Sequence, residues 1–153
     1  MNKFVVIAAV VILALVGWWI WSQGGAPTTP GTEETSQNGE VTGESATIQL
    51  AQSNFSGVSG AATLIESGNN LVVMIETSGA PGGVAQPAHI HAGTCSELGG
   101  IVYELAPVLD GSSEIQLSGV SLSDLAEQMP LAINVHKSAE EIGVNVACGD
   151  ISL

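Results

Sequence analysis

From Ser45 onward, apolar and polar residues alternate over short stretches that turn-forming residues separate. Residues 46–52 alternate with a period of two, and two apolar runs, 61–66 and 71–77, flank the turn-forming segment 67–70 (SGNN). Glycine and asparagine tolerate the positive φ angles of tight turns, so the two runs predict a β-hairpin. Five further strands are predicted at residues 88–92, 101–105, 113–117, 131–136 and 144–148.

One segment of the same region has a helical pattern instead. Residues 122–129 predict a short helix, which Ser121 or Ser123 can cap and which Pro130 ends. Seven or eight short strands at this spacing predict an all-β domain, either a β-sandwich or a small barrel. The domain covers residues 45–153, which is long enough to fold alone when a covalent link supports it.

The N-terminus has a different character, because residues 4–21 form an unbroken run of 18 apolar or small residues. At about 1.5 Å per residue such a helix just spans the bilayer core of about 30 Å. Lys3 precedes the run and three tryptophans close it, as in a membrane anchor whose positive end stays inside the cell. We therefore expect residues 1–21 to be a single-pass anchor of the cell membrane, with a cleaved signal peptide as the alternative. Either way, the rest of the chain lies outside the cytoplasm.

Residues 22–44 join this segment to the domain. They are rich in glycine, proline, threonine, serine and glutamate, and Ala26 and Val41 are their only aliphatic residues. Such a sequence buries too little apolar surface to offset the entropy of ordering, so a disordered linker is predicted.

The charge of the chain excludes one class of partner. The formal net charge is −13, from 15 acidic residues against Lys3 and Lys137, and the chain has no arginine. Binding nucleic acid requires basic side chains that neutralise phosphates, so the sequence predicts no nucleic-acid partner. The acidic surface either keeps the domain soluble or attracts metal cations.

Two features of the domain carry candidate chemistry. Cys95 and Cys148 are the only cysteines, and outside the cytoplasm they most simply form one disulfide, with two separate buried thiols as the alternative. His89 and His91 lie two apart on a predicted strand, so their rings project from one face, and His136 lies near the end of another strand. Three imidazoles suit copper, zinc, nickel or iron, and affinity among divalent ions peaks at copper. The alternative is three polar residues that only form hydrogen bonds.

The segments that hold these residues also resemble a known family. PAHIHAGTC, followed by INVHKSAEEIGVNVACGDI, is similar to the paired signatures of the copper/zinc superoxide dismutases. The resemblance covers roughly residues 45–153. It implies an eight-stranded Greek-key β-sandwich or flattened barrel, in which His89, His91 and His136 are copper ligands and Cys95 is bridged to Cys148.

The chain departs from that family at the second metal. The family's zinc subsite needs a bridging histidine, two more histidines and an aspartate after the first cysteine, but this chain has no histidine between Cys95 and His136. Asn145 also stands where the family has an arginine that guides the superoxide anion. The resemblance therefore implies one copper ion and no zinc site.

A second resemblance points to a different kind of protein. HIHAG, the strand GGIVYEL and the NVH strand are similar to the CHRD (chordin-type) domain, a β-rich extracellular module. The resulting hypothesis is a membrane-anchored copper-binding domain with His89, His91 and His136 as ligands. The alternatives are a copper-only superoxide dismutase, a zinc hydrolase and a metal-free interaction module of the CHRD type.

Overall fold

Residues 43–153 form eight β-strands and one short helix. The structure is a computed structural model that describes residues 43–153. The elements, in chain order, are β1 (Ser45–Gln52), β2 (Ser59–Ser67), β3 (Asn70–Ser78), β4 (Ala88–Thr94), β5 (Glu97–Glu104), β6 (Ser112–Ser118), α1 (Leu122–Glu127), β7 (Leu131–His136) and β8 (Asn145–Asp150). The prediction of an all-β domain with seven or eight strands is confirmed.

The strands form one curled antiparallel sheet in the order β5-β4-β7-β8-β1-β2-β3-β6. β1 joins its two halves, because it pairs with β2 along Ser45–Leu50 and with β8 only through Ala51 and Gln52. In the part of the chain that the structure describes, β5 and β6 are the edge strands and do not pair with each other. The sheet is therefore an open half-barrel.

The predicted hairpin is present between β2 and β3. Ser67 pairs with Asn70, so the turn consists of Gly68 and Asn69, and Gly68 has a φ of 63°. The predicted helix is also present. Ser121 caps it, because its hydroxyl accepts a hydrogen bond from the backbone N–H of Asp124 while the Asp124 carboxylate accepts one from the N–H of Ser121.

The start of β5 was predicted four residues too late, because the strand begins at Glu97 and not at residue 101. Gly99 and Gly100 lie inside β5, and glycine ordinarily weakens a strand, so this pair has the sequence pattern of a loop. The connection after β4 is a turn of two residues, Cys95 and Ser96, because Thr94 already pairs with Glu97.

The core lies on the inner face of the curled sheet. Its largest fully buried side chains are leucines, isoleucines and valines at alternating strand positions, among them Leu64, Ile75, Ile90, Ile133 and Val135. Ile90 lies between His89 and His91, and Val135 lies between Asn134 and His136. Because successive side chains in a strand point to opposite faces, the three histidines project from the outer face of the sheet.

The predicted anchor, residues 4–21, and nearly all of the predicted linker, residues 22–44, lie outside the described residues. Within residues 43–153, no helix combines the length and the apolar composition that crossing a bilayer would require.

Candidate metal centre

The three histidines lie on the adjacent strands β4 and β7, which are the second and third strands from the β5 edge of the sheet. In the pairing of β4 with β7, His89 lies opposite Asn134 and His91 opposite Ala132. His136 is the last residue of β7, and its backbone N–H donates to the carbonyl of Pro87, just before β4. The sequence predicted that two stretches of chain meet here, and the structure brings all three imidazoles together.

The three rings form a compact and buried group. One nitrogen from each lies within 4.8 Å of the other two, and the ring centroids are 4.9–5.9 Å apart. The shortest contact joins Nδ1 of His89 and Nε2 of His136, at 3.0 Å. Each histidine is no more than 8% exposed. The group is therefore largely shielded from solvent, and its nitrogens face one another.

The outward nitrogens of His89 and His91 have partners on β5. Nε2 of His89 lies 2.8 Å from the Glu104 carboxylate, and Nδ1 of His91 lies 3.0 Å from the carbonyl oxygen of Gly99. When these nitrogens carry the protons, Nδ1 of His89 and Nε2 of His91 are left with free lone pairs. Carboxylate and backbone carbonyl partners of this kind fix the ring orientation and the tautomer of metal-binding histidines.

His136 has a different neighbour, the side-chain amide of Asn134, which in turn contacts Asn145. Nδ2 of Asn134 lies 3.2 Å from Nε2 of His136 and also donates to Oδ1 of Asn145 at 2.9 Å. Sequence analysis expected Asn145 to take the place of a guiding arginine. In the structure its side chain accepts a hydrogen bond from Asn134, the residue that contacts His136.

Burial dominates the electrostatics of the group. Desolvation lowers the pKa of both His89 and His136 from the ordinary histidine value. The neighbouring histidines lower both pKa values further, because two protonated rings repel each other, while Glu104 acts in the opposite direction, most strongly on His89. The neutral imidazole, which is the form that binds metals, is thus favoured near neutral pH.

The donor set fits one metal ion. Ligand bonds of about 2.0–2.1 Å put neighbouring imidazole nitrogens about 3 Å apart and opposite ones about 4 Å apart. The 3.0 Å contact of His89 with His136 corresponds to a neighbouring pair, and a small ring movement brings the widest separation, at most 4.8 Å, into range. Nε2 of His91 is buried and has no hydrogen-bond partner, although a buried nitrogen ordinarily has one. A metal ion would supply that partner.

The predicted disulfide is present beside the group. Cys95 in the β4–β5 turn is bonded to Cys148 in β8, with the two Cα atoms 5.8 Å apart. In the pairing of β7 with β8, Cys148 lies opposite Asn134, the residue that contacts His136. The disulfide therefore links the β4–β5 turn to β8, the strand that pairs with β7.

The acidic residues near His136 in sequence do not join the group. Glu141 forms an ion pair with Lys137 at 2.8 Å, and both side chains are about half exposed. Glu140 is exposed in the same loop.

Sequence analysis missed Glu104 and Gly99, which contact the histidines directly. The only signal for Glu104 was its place at the end of the strand that follows the histidine pair.

Comparisons with known proteins add no assignment to this geometry. No family model matches the chain, and no curated protein matches it either.

Proposed function

We propose that this chain is a membrane-anchored, extracytoplasmic copper-binding domain of the copper/zinc superoxide dismutase type, reduced to a single metal. The observation that supports it best is the group of three buried imidazoles, each with one ring nitrogen within 4.8 Å of the other two. His89, His91 and His136 would hold the ion, with water as a possible fourth ligand.

The choice of copper follows from the chemistry of the donors. All three are imidazole nitrogens, and the affinity of such a site for divalent first-row metals is highest for copper. No carboxylate of the described residues belongs to the inner group, since Glu104 contacts the outward nitrogen of His89. Binding alone would serve copper sequestration or delivery outside the cytoplasm. Bound copper would also supply one-electron redox chemistry, which would allow electron transfer.

The residues around the ligands would act by positioning them. Glu104 and Gly99 would set the ring orientations of His89 and His91, whereas the Asn134 amide lies against Nε2 of His136, so this contact would give way to the ion. Partners that hold the ligand rings in the binding orientation lower the ordering entropy that opposes metal binding.

Two further observations support the family and the compartment. The strand order places β4, β7 and β8 beside one another although β5, β6 and α1 intervene in the chain, as long Greek-key connections do. The Cys95–Cys148 disulfide is typical of proteins outside the cytoplasm, which agrees with the apolar N-terminal run.

The experiment is copper loading of the purified full-length chain in detergent. We expect one Cu(II) per chain after gel filtration, with a paramagnetic spectrum that shows nitrogen hyperfine coupling, and at least about 100-fold weaker binding in His91→Ala. The matched control, Glu127→Ala, removes an exposed charge on α1 and should bind like the wild type. Failure to retain copper, or an unchanged affinity in His91→Ala, would reject the proposal.

A metal-free interaction module of the CHRD type is the second candidate. The observation in its favour is the 3.0 Å contact of His89 with His136, because two imidazoles can form one hydrogen bond with each other without an ion. This candidate predicts that replacing all three histidines by alanine leaves partner binding unchanged and that no divalent metal raises the melting temperature.

The same copper-loaded preparation tests the enzymatic alternative. A copper-only dismutase would consume superoxide well above a free-copper control and would lose this activity in His136→Ala. Copper retention without that activity would assign binding alone.

A further inference from the structure

Asn134 is a buried asparagine on the same face of β7 as His136. The two residues are two apart in the strand, so both side chains project from the outer face of the sheet. In the strand register Asn134 lies opposite His89 on β4 and opposite Cys148 on β8. Asn134 is 0% exposed. Its amide is therefore enclosed between the histidine group and the disulfide, where it can turn in place but has no open path to solvent.

The two ends of this amide have different surroundings. Nδ2 lies 3.2 Å from Nε2 of His136 and donates to Oδ1 of Asn145 at 2.9 Å. Oδ1 of Asn134 is buried and has no hydrogen-bond partner among residues 43–153. An amide oxygen has two lone pairs, and a buried one ordinarily accepts at least one hydrogen bond. The residue beside the expected copper ligand therefore carries a buried oxygen whose lone pairs are unused.

The end of the amide that fits depends on what occupies the lone pair of His136. An N–H group of Asn134 suits a free lone pair on Nε2, but its partial positive charge repels a cation bound there. The amide oxygen attracts such a cation. A half-turn about the Cβ–Cγ bond exchanges the two ends at little cost, because this torsion of asparagine is broad and roughly two-fold. Since the buried side chain cannot leave the site, this turn is the movement that removes the repulsion.

The half-turn places the oxygen at a ligand distance. Oδ1 then takes the position of Nδ2, which is 3.2 Å from Nε2 of His136. Two neighbouring donors bound to one ion at about 2.0–2.2 Å are about 3 Å apart, so this separation matches a pair of ligands. Asn145 is only partly buried, so its amide can turn as well and donate to the second lone pair of Oδ1. The hydrogen bond between the two asparagines is kept, with its direction reversed.

We propose that Oδ1 of Asn134 is the fourth ligand of the copper ion, in the place that water would otherwise take. The inference rests on the proposed function, because it requires an ion held by His89, His91 and His136. Three imidazole nitrogens and one amide oxygen form an N,O donor set, which suits the tetragonal geometry of Cu(II). Catalytic sites keep an open position, whereas a fourth protein ligand closes the site. Asn134 therefore favours holding copper over binding a small substrate on it.

The test is the paramagnetic resonance spectrum of Cu(II) bound to the purified full-length chain in detergent, recorded in water enriched in ¹⁷O. We expect no ¹⁷O broadening in the wild type, because no water is bound to the ion. Asn134→Leu has a side chain of similar size without a donor, so water should enter and the broadening should appear. Asn134→Asp keeps an oxygen at this position and should show no broadening.

The matched control is Asn145→Leu. This variant also loses the hydrogen bond between the two asparagines, but it keeps Oδ1 of Asn134. Its spectrum should therefore resemble that of the wild type, without ¹⁷O broadening. A purely structural role of the asparagine pair would give the same change in Asn145→Leu as in Asn134→Leu.

Copper affinity gives a second readout, whose sign depends on the role of the amide. If Asn134 is a ligand, Asn134→Leu should bind copper about tenfold more weakly or worse in competition with a chelator. If the amide only competes with the ion for the lone pair of His136, the same variant should bind copper equally or more tightly. The sign of the change therefore separates a ligand from a competitor.

A third measurement needs no variant. In wild-type protein labelled with ¹³C at the asparagine side-chain carbonyl, pulsed resonance should show a strong ¹³C coupling to Cu(II), because this carbon is bonded to the ligating oxygen. Broadening in the wild type, equal spectra of Asn134→Leu and Asn145→Leu, undiminished affinity in Asn134→Leu, or no strong ¹³C coupling would each overturn the inference. Copper retained with nitrogen coupling in those cases leaves the proposed function standing, whereas no retention by the wild type rejects both.

Discussion

His89 and Glu104 face each other as a register pair of β4 and β5, with Nε2 of the imidazole 2.8 Å from the carboxylate. The histidine is buried, whereas the Glu104 side chain is 72% exposed. A solvent-facing carboxylate thus fixes the orientation of a buried ring. The edge strand β5 is therefore part of the candidate metal centre.

Removing this carboxylate should weaken metal binding without abolishing it. Partners that orient metal-binding histidines change affinity by about 10–100-fold, and we expect about tenfold for Glu104→Ala because water can replace an exposed group. Competition with a copper chelator measures the change. Glu127→Ala alters the net charge equally and serves as the control. Equal affinities in the two variants would show that Glu104 does not orient the ring.

The metal-free protein should lose stability as the pH falls below about 6.5, the ordinary histidine pKa. Burial lowers the pKa of His89 and of His136, so the unfolded chain binds protons in a pH range where the folded chain does not. Stability contributed by the neutral rings is complete above pH 6.5 and is lost as the pH falls through the lowered values. Urea unfolding in a chelator between pH 8 and 5 measures this loss. The double variant His89→Ala/His136→Ala should show a smaller dependence, and an equal dependence would contradict the prediction.

Loss of the disulfide should destabilise the domain strongly. The bond closes a loop with a sequence separation of 53 residues, which corresponds to about 4 kcal/mol in the chain-entropy model. Denaturant unfolding of Cys95→Ala/Cys148→Ala measures this difference in the free energy of unfolding. Reduction of the wild type should reproduce the loss, whereas the reductant should not affect the double variant. A loss below about 1 kcal/mol would contradict the prediction.

Gly93→Ala should damage both the fold and the site. Gly93 follows His91 by two residues and has a φ of 92°, and a Cβ atom there would lie 2.3 Å from the carbonyl oxygen of Glu97. We expect a loss of about 2 kcal/mol or more in unfolding free energy, together with weaker copper binding. Gly143→Ala is the matched control, because a Cβ atom at Gly143 would have no neighbour within 4 Å. Similar melting temperatures for the two variants would contradict this account.

The elements that sequence analysis predicted well depend on short-range patterns. The period of two around His89 and His91 placed both rings on one face, and Ser121, one of two serines that could cap the predicted helix, stands at the start of α1. The Cys95–Cys148 disulfide could be predicted without knowing the strand register, because the chain has no other cysteine. These features require only local rules and a count of residues.

The contacts around the histidines could not be predicted in the same way. The pairing of β4 with β5 shifts register between Ile90 and His91 and again between His91 and Gly93. Each shift inserts an extra residue into β5, so sequence spacing alone does not place Glu104 beside His89 or Gly99 beside His91. Because Gly99 and Gly100 have the sequence pattern of a loop, the first residues of β5 were also not predicted as a strand. The orienting partners therefore depend on tertiary pairing that local patterns do not contain.

The position of β4 has a consequence for how the domain would handle an ion. β4, which carries His89 and His91, is hydrogen-bonded to β5 and β7, and β7, which carries His136, is hydrogen-bonded to β8 on its other side. The backbone that carries the three imidazoles is therefore held by the sheet. Filling or emptying the site then requires ring rotations and no refolding. A domain of this kind would keep its shape whether or not an ion is bound, unlike a protein that needs its ion in order to fold.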